Sequence, residues 1–371
     1  MAIILHQKCI RMKILFIGSK KSNHSKKWVN SLVERGHEVM LVCQCEPSDN
    51  SVMFDDRVEI RMLKYGGYVS YVLNIYELRS IYNEFNPDVV NVHYMSGYGF
   101  MAVMAGIRPL VLNCYGSDIF VAPKRSKIIY LLVRYILSKA DAVAATSRTM
   151  ADAAEKIMKN PNRRVIVTPF GVDVDLFRKD LNRKNNVRPV IGIIKYLKPE
   201  YNIQLLINAF AIARSQCEIK PLLHIYGSGP LKEELLAMCV ELGINEDVTF
   251  FETIPNQEVP RALNTMDIFV NTSNVESFGV NIVEAMSCEL PVVATPCPGP
   301  QEVIDNRITG VILSGWNPDE LANELVKLIR TPELRRQYGR AGREKVLREY
   351  NWENNVNTLI NIYHKVKMQL G

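Results

Sequence analysis

The sequence predicts an α/β protein of two doubly wound domains, and three observations lead to this prediction. Its 371 residues are more than one ordinary hydrophobic core accommodates. Short apolar runs alternate with amphipathic stretches, a pattern typical of parallel strands covered by helices on both faces. A polar, charged segment at 178–188 interrupts this alternation once, which indicates a linker between domains.

The first series of elements opens at Met12, where residues 13–17 form an apolar run, and we expect the functional start at Met12 rather than Met1. Further apolar runs predict strands at 39–43, 89–92, 110–113, 142–145 and 165–167. Amphipathic stretches predict helices at 25–35, 68–85 and 147–158. These elements define an N-terminal domain over residues 1–180, followed by a linker at 181–188.

The second series predicts a domain over residues 189–350. Its expected strands are 189–194, 221–226, 248–251, 267–271 and 291–294, with helices at 201–215, 230–242, 280–288 and 317–330. Two more helices follow, at 332–349 and 352–369, and we expect the last, about 352–371, to pack back on the N-terminal domain. Ligands of open α/β sheets bind beyond the carboxyl ends of the strands, so the expected site is a cleft between the two domains.

Composition narrows the functional class. The apolar fraction of 47% and charged fraction of 23% are typical of a soluble globular protein. No apolar run reaches the roughly 20 residues of a membrane-spanning helix, and residues 1–11 do not read as a signal peptide, so we expect a cytoplasmic protein. Eight cysteines without Cys-x-x-Cys spacing favour buried thiols over a zinc site or a disulfide framework.

Charge is unevenly distributed. Residues 1–186 contain 27 Lys and Arg against 17 Asp and Glu, whereas 187–371 contain 18 against 22. A basic half indicates either an anionic partner or simply a solvated basic face. Because no nucleic-acid-binding module accompanies the charge, we expect no nucleic acid, and an anionic membrane surface is the favoured partner.

The segment from Glu276 to Glu284 carries the chemistry. A predicted strand, 267–271, enters a polar loop in which Gly279 permits a tight turn, and a helix begins near Val280. The free amides at such a helix start suit a diphosphate. Glu276, in the loop, is placed to reach sugar hydroxyls, and Glu284, one turn into the helix, to accept hydrogen bonds from a ribose.

Glu276-Ser-Phe-Gly-Val-Asn-Ile-Val-Glu284 resembles the Glu-x7-Glu motif of the family 4 glycosyltransferases, which have the GT-B fold. The resemblance extends over nearly the whole chain from Met12, through segments that resemble the family's in order and spacing: 35–39, 86–93, 115–118, 170–173 and 226–230. The resemblance implies a nucleotide-diphosphate sugar as donor. Some of the predicted donor-binding residues lie within the Glu-x7-Glu motif and the others lie outside it. Predicted in the motif are Ser277, Phe278, Gly279, Val280 and Glu284; predicted outside it are Gly18, Lys195, Lys198, Gly227 and Ile254.

The sequence departs from the family in the phosphate-binding loop. Where the family usually has an Arg and a Lys, this chain has Tyr196 and Tyr201. Lys195 and Lys198 are adjacent, and we expect Lys195 to be the main phosphate ligand, acting as a point charge rather than as a bidentate fork.

A second departure lies in the N-terminal domain, where Tyr115 replaces a histidine found in many relatives. A tyrosine is not cationic near neutral pH, so His93 becomes the histidine nearest in sequence that is expected to line the cleft. His93 and Asp118 join Glu276 as predicted catalytic residues, although a strand-end histidine is as often structural, and Asp118 equally suits a turn cap.

The resemblance implies retention of anomeric configuration, with no metal or other cofactor. The leaving phosphate oxygen would accept the acceptor's proton in a front-face transfer, Glu276 would orient the sugar and Glu284 the ribose. The expected acceptor is a hydroxyl of a glycan or lipid-linked molecule in bacterial-type envelope polysaccharide or glycolipid synthesis, at the inner face of the membrane. Its predicted contacts are basic residues: Lys20, Lys21, Lys26, Lys27, Lys124, Arg125 and Lys127. Tyr65, Tyr68, Tyr71 and Tyr76 are further candidates for such an interface, although packing of a helix is the favoured use of these tyrosines.

Two alternatives stay open from the sequence. A sugar-nucleotide 2-epimerase shares the GT-B architecture, and a non-catalytic nucleotide-sugar-binding subunit would tolerate Tyr196 and Tyr201. A dehydrogenase is disfavoured, because the turn after the first strand, Gly18-Ser-Lys-Lys-Ser-Asn, lacks the dinucleotide fingerprint.

Overall fold

The computed structural model describes residues 11–45, 53–183 and 186–370. The chain forms two compact units: unit 1 consists of Met1–Pro169 and Asn355–Gly371, and unit 2 of Phe170–Asn354. Residue 1 as an alternative start, the segment 1–10 considered as a signal peptide, and Cys9 lie outside the described residues.

Unit 1 is built on a parallel sheet of seven strands in the order β3-β2-β1-β4-β5-β6-β7. The strands are β1 (Lys13–Ile17), β2 (Glu38–Cys43), β3 (Glu59–Met62), β4 (Val89–His93), β5 (Leu110–Cys114), β6 (Ala142–Ala145) and β7 (Ile166–Val167). The helices are α1 (Asn23–Glu34), α2 (Ser70–Leu73), α3 (Ile75–Phe85), α4 (Phe100–Met104), α5 (Ser117–Phe120), α6 (Lys127–Lys139) and α7 (Arg148–Met158).

Unit 2 is built on a parallel sheet of six strands in the order β10-β9-β8-β11-β12-β13. The strands are β8 (Val190–Ile194), β9 (Leu222–Tyr226), β10 (Val248–Phe251), β11 (Ile268–Asn271), β12 (Val292–Ala294) and β13 (Gly310–Ile312). The helices are α8 (Ile203–Gln216), α9 (Lys232–Glu241), α10 (Val259–Leu263), α11 (Val280–Ser287), α12 (Pro298–Val303), α13 (Pro318–Arg330) and α14 (Pro332–Glu349).

The predicted fold class is confirmed, since both sheets are parallel and doubly wound. Central strands such as β1 and β5 are buried on both faces, which is why their apolar runs are visible in the sequence. The edge strand β3 was not predicted: all four of its residues are exposed, and Glu59 and Arg61 break any apolar run. Strand β13 was not predicted either, because its three residues are too few to form a recognisable apolar run.

The division between the units falls at Pro169 and Phe170, whereas the sequence predicts a linker at 181–188. Arg183 and Arg188 of that segment bind other parts of unit 2. The Arg183 guanidinium lies 2.8 Å from Asp267 Oδ1, and Arg188 pairs with Asp247. These contacts explain why Arg183 and Arg188 are held on unit 2 although this polar segment has little to bury.

The last helix, α15 (Trp352–Leu370), returns to unit 1 from Asn355 onward. Its Lys367 Nζ lies 2.7 Å from Asp88 Oδ1, and Asn355 Nδ2 donates to the carbonyl oxygen of Pro169 at 3.0 Å. Among the described residues, no helix is both long and apolar enough to cross a bilayer. The seven cysteines in the same residues are free thiols, of which Cys45 alone is exposed.

Arg343 of α14 connects three parts of unit 2, and its loss should destabilise the fold. The guanidinium donates to the carbonyl oxygens of Phe177 (2.8 Å), Ser287 (3.0 Å) and Val174 (2.8 Å), and to the hydroxyl of Ser287 (2.6 Å). Arg343→Met should lower the free energy of unfolding by roughly 2–4 kcal/mol, because partly buried acceptors lose a charged donor. Urea denaturation measures this; Arg336→Met on the same helix, which removes only an exposed ion pair with Glu333, should change it by less than about 1 kcal/mol.

Three histidines of unit 1 make its stability depend on pH. Burial lowers the pKa of His24 and of His37 from 6.5 to about 4, and lowers that of His93 well below its usual value. In the unfolded chain these groups take up protons near pH 6.5, so their stabilisation is complete above that pH and declines as the pH falls toward 4. The melting temperature should therefore drop from pH 7 to pH 5.

His37 allows this pH dependence to be tested on one residue. Its Nδ1 accepts the Met12 amide at 3.2 Å, a bond that a glutamine oxygen can also accept. His37→Gln should lose less melting temperature than the wild type between pH 7 and pH 5. An equal or larger loss in the variant would contradict the assignment.

Candidate functional site

A glycine loop fixes the backbone of Lys195 at the carboxyl end of β8. The Lys195 amide donates to the Tyr226 carbonyl oxygen at 2.9 Å, and Gly227 follows with φ of 143°. A Cβ at Gly227 would overlap the carbonyl oxygen of Lys195, so only glycine permits this approach. Gly227 thus supports the site by setting the position of Lys195.

Lys195 and Glu276 form an ion pair at the ends of neighbouring strands. Lys195 Nζ lies 2.5 Å from Glu276 Oε2, and the two side chains are 14% and 16% exposed. The sequence assigns the lysine to a phosphate and the glutamate to a sugar, and the structure brings the two groups into contact. A cation and a carboxylate held side by side suit a ligand with an anionic group next to hydroxyls.

Tyr201 lies against both predicted phosphate lysines. Lys195 Nζ is 4.4 Å from the centre of its ring and Lys198 Nζ is 5.1 Å away. Lys198 also lies 3.9 Å from Glu200 Oε1. The tyrosine that replaces a cationic residue of the family therefore contacts two cations through its ring face, whereas Tyr196 is 52% exposed.

The turn after β11 presents Ser277 to solvent and buries the next side chain, Phe278. The Phe278 ring packs edge-on against Phe170 (5.5 Å between centroids) and Tyr350 (5.7 Å). Phe278 is only 4% exposed, so its predicted donor contact can involve its backbone but hardly its ring. The aromatic cluster anchors the turn that carries Glu276.

Helix α11 begins as the sequence predicts, at Val280 after Gly279 with φ of 89°. The amides of Ile282 and Val283 donate to the Gly279 carbonyl oxygen at 2.9 and 3.2 Å. The amides of Val280 and the next residue therefore precede the hydrogen-bonded part of the helix, where an anion is favoured. Glu284 lies one turn further along and is partly exposed.

Gly299 and Asn281 belong to this site and were not predicted. The Gly299 amide donates to the Glu276 carbonyl oxygen at 3.0 Å, and Asn281 Nδ2 donates to the Ile194 carbonyl oxygen at 3.3 Å. The only sequence signal for Gly299 is its place between two prolines after β12. The remaining predicted residue of this unit, Ile254, is partly buried in the loop after β10.

In unit 1, the structure brings Gly18 and His93 together at the carboxyl ends of β1 and β4. A Cβ at Gly18 would lie 3.5 Å from His93 Cβ and 3.1 Å from Ser25 Oγ. His93 is 1% exposed, and its Nε2 lies 2.7 Å from the Tyr115 hydroxyl. Burial, and to a lesser extent the nearby His24, lowers the pKa of His93, so the imidazole is neutral. Its ring nitrogen is already hydrogen-bonded to the Tyr115 hydroxyl.

Asp118, predicted to be catalytic, is committed to backbone amides. Its carboxylate accepts hydrogen bonds from Tyr115 (3.1 Å), Gly116 (2.9 Å) and Met95 (3.2 Å), and the residue is 2% exposed. Burial raises the pKa of Asp118, and these amides counteract the rise. This geometry corresponds to the turn-capping alternative and fixes the loop that carries Tyr115, while a catalytic role of Asp118 stays a prediction.

Tyr94 is a residue of unit 1 that the sequence did not indicate. It follows β4 directly, has φ of 64°, and its ring lies 5.2 Å from that of Tyr115. Positive φ is rare for an aromatic residue, and strain of this kind clusters at functional sites. A tyrosine at this position gives no indication in the sequence that its backbone has a positive φ.

Among the residues that the structure covers, no three His, Cys, Asp or Glu side chains are grouped closely enough to hold a metal ion. Metal independence itself stays a prediction. The Lys195–Glu276 pair and the start of α11 belong to unit 2, while Gly18, His93 and Asp118 belong to unit 1.

Two family models match the chain. Glycosyl transferases group 1 matches residues 175–345, and Glycosyl transferase 4-like matches residues 13–147. N-acetyl-alpha-D-glucosaminyl L-malate synthase of Bacillus anthracis is 26% identical over 90% of this chain and 91% of its own length. A GDP-mannose-dependent alpha-(1-6)-phosphatidylinositol monomannoside mannosyltransferase of Mycolicibacterium smegmatis is 28% identical over 68% of this chain and 69% of its own.

Solved structures show the same fold. HepE of Anabaena in complex with UDP superposes with a TM-score of 0.81 at 18% identity, covering 95% of this chain and 100% of that one. Sucrose-phosphate synthase of Thermosynechococcus elongatus gives 0.79 at 17% identity, over 96% and 99%. These structures show the GT-B fold. The two family models, taken with the Glu-x7-Glu motif, show that the chain belongs to the family 4 type of glycosyltransferases, which transfer a sugar from a nucleotide sugar.

Proposed function

We propose that this enzyme transfers a sugar, with retention and without a metal, from a nucleotide-diphosphate sugar to a hydroxyl of a glycan or lipid-linked acceptor. The observation that carries the proposal is the Lys195–Glu276 ion pair beside the start of α11. The relatives support a role in envelope synthesis, since their names include a phosphatidylinositol mannoside mannosyltransferase and a poly(ribitol-phosphate) N-acetylglucosaminyltransferase. A location at the inner face of the membrane fits such acceptors.

In the proposed reaction, the bond between the anomeric carbon and the diphosphate breaks as a bond to the acceptor oxygen forms on the same face. The acceptor's proton passes to the leaving phosphate oxygen, so the step needs no separate base. Lys195 and the amides at the start of α11 would stabilise the charge that develops on the diphosphate. Glu276 would hold the sugar hydroxyls and Glu284 the ribose.

The ion pair also bears on how the donor enters. A diphosphate that attracts Lys195 Nζ would weaken the bond to Glu276 and free the carboxylate for the sugar. Lys198, whose Nζ also lies over the Tyr201 ring, would supply a second cation. Because two lysines remain in this loop, the tyrosine replacements do not favour a non-catalytic subunit.

Replacing Lys195 by methionine should raise the donor Kd by about one to two orders of magnitude and lower kcat as well. The substitution removes one charge contact to a diphosphate, worth roughly 1.5–3 kcal/mol, and keeps an unbranched side chain of similar length. Isothermal calorimetry with the nucleoside diphosphate measures the first effect. Lys220→Met, a control on the same unit, should leave both constants unchanged; equal donor affinity in Lys195→Met would remove it as a phosphate ligand.

The function is tested in two stages. A thermal-shift screen over UDP-glucose, UDP-N-acetylglucosamine and GDP-mannose identifies the donor, because a ligand of the native state raises the melting temperature. Transfer to lipid-linked and glycan acceptors is then followed with and without EDTA, and NMR of the product gives the anomeric configuration. Conversion of the donor sugar without an acceptor would indicate an epimerase, and donor binding without turnover a binding subunit.

A further inference from the structure

Helix α6 of unit 1 has apolar residues on two opposite faces. Val133, Ile136 and Leu137 are buried and join the core of the unit. The opposite face carries a second series at helical spacing, defined here as the α6 stripe: Ile128 (80% exposed), Leu131 (59%), Leu132 (37%) and Tyr135 (46%). A stripe at i, i+3, i+4 and i+7 normally marks a buried helix face, yet this one meets solvent.

The charges within the α6 segment itself are of one sign. Residues 119–140 include no Asp or Glu and five basic residues: Lys124, Arg125, Lys127, Arg134 and Lys139. Lys139 Nζ lies 5.2 Å from the centre of the Tyr135 ring. An apolar face on a helix whose own charged residues are all cations, with a tyrosine at one end, matches the chemistry of helices that lie in the interface of an anionic bilayer.

A second exposed apolar segment lies on the same face of the sheet. Residues 68–76 include Tyr68 (93% exposed), Val72 (56%) and Tyr76 (89%). The connections through α2–α3, through α4 and through α6 all lead toward the β7 edge, so right-handed crossovers place them on one face. Helix α4 contacts both α2 and α6.

We propose that the α6 stripe docks the enzyme on an anionic lipid bilayer, with α6 lying flat and residues 68–76 as a second contact. Apolar side chains would enter the acyl boundary while the cations meet lipid phosphates. A second copy of the chain fits the stripe less well, because two such faces would bring like charges together. Binding to lipid needs neither donor nor acceptor, so its outcome is independent of the proposed transfer reaction.

Vesicle flotation tests the proposal on the full chain, with phosphatidylcholine vesicles either pure or containing 30% phosphatidylglycerol, at 50 and 500 mM NaCl. The wild type should bind the anionic vesicles at least about tenfold better than the neutral ones, and less tightly at high salt. Ile128→Ser/Leu132→Ser should reduce binding to anionic vesicles about tenfold or more. Lys124→Gln/Arg125→Gln/Lys127→Gln should remove most of the salt dependence.

Helix α9 provides a matched control. Leu236 (37% exposed) and Val240 (65%) form an exposed apolar pair with the same spacing, on a helix that bears Glu233, Glu234 and Glu241. Leu236→Ser/Val240→Ser should bind vesicles like the wild type. The proposal is overturned if the wild type ignores anionic vesicles at low salt, or if both double variants bind equally. It is also overturned if light scattering shows a wild-type dimer that Ile128→Ser/Leu132→Ser converts to a monomer without affecting vesicle binding.

Discussion

Replacing Glu276 by glutamine should lower kcat at least about a hundredfold, the size of effect seen when one preorganised polar group is removed from a reacting centre. The amide keeps the shape of the side chain and its backbone bond to Gly299 but loses the charge. It can neither form the ion pair with Lys195 nor hold the sugar hydroxyls as strongly as a carboxylate, so the sugar would lose the orientation that transfer needs. The expected loss is therefore in turnover, with a smaller change in donor affinity, measured by initial rates over a range of donor concentrations.

The fold should survive this change. Glu276→Gln leaves the partly buried Lys195 without its carboxylate, which should cost roughly 1–3 kcal/mol of stability. Glu258→Gln, at an exposed position before α10, serves as the control and should match the wild type in rate and melting temperature. Near wild-type turnover in Glu276→Gln would exclude Glu276 from catalysis.

A double-mutant cycle with Lys195→Met separates pairing from independent action. If the two residues act as a unit on the donor, the double variant should be little worse than the more damaged single variant. Effects that multiply in full would instead mean that each side chain works alone, and that their contact in the free enzyme has no part in the reaction.

The fold can be predicted from the sequence because its central strands are apolar on both faces and therefore visible as apolar runs. The ends of these runs also locate the loop and helix start that contain Glu276, Gly279 and Val280. What the sequence does not carry is pairing over distance: Lys195 and Glu276 are 81 positions apart, and no local pattern links them. Sequence likewise could not separate the two roles open to Asp118, since only the structure shows three amides converging on its carboxylate.

Exposed features were predicted least well, for the opposite reason. The edge strand β3 buries nothing and so leaves no apolar period, and α6, which is apolar on two faces, was not among the predicted helices. Periodicity detects that a helix face is apolar but not which of two apolar faces meets the sheet. In α6 the face that meets the sheet is the one with Val133 and Ile136, which are buried in the core of unit 1.

Gly299→Ala should reduce kcat by about a hundredfold although residue 299 has no direct contact with a substrate assigned to it. A Cβ there would lie 2.6 Å from the Cα of Phe278, a backbone atom that cannot rotate away. The turn that carries Glu276 would have to move by up to about 1 Å, and displacements of this size at a reacting centre cost about two orders of magnitude in rate. Initial rates measure the loss.

The matched control is Gly315→Ala, since a Cβ at Gly315 meets no atom within 4 Å and its backbone is not left-handed. It should leave rate and melting temperature unchanged. Gly299→Ala should in addition lower the melting temperature by several degrees, because Phe278 is held between Phe170 and Tyr350 and cannot follow the turn freely. If Gly299→Ala retained both turnover and stability, the turn would have adapted to the added Cβ without displacing Glu276. Contact with Gly299 of α12 would then not be what fixes the position of Glu276.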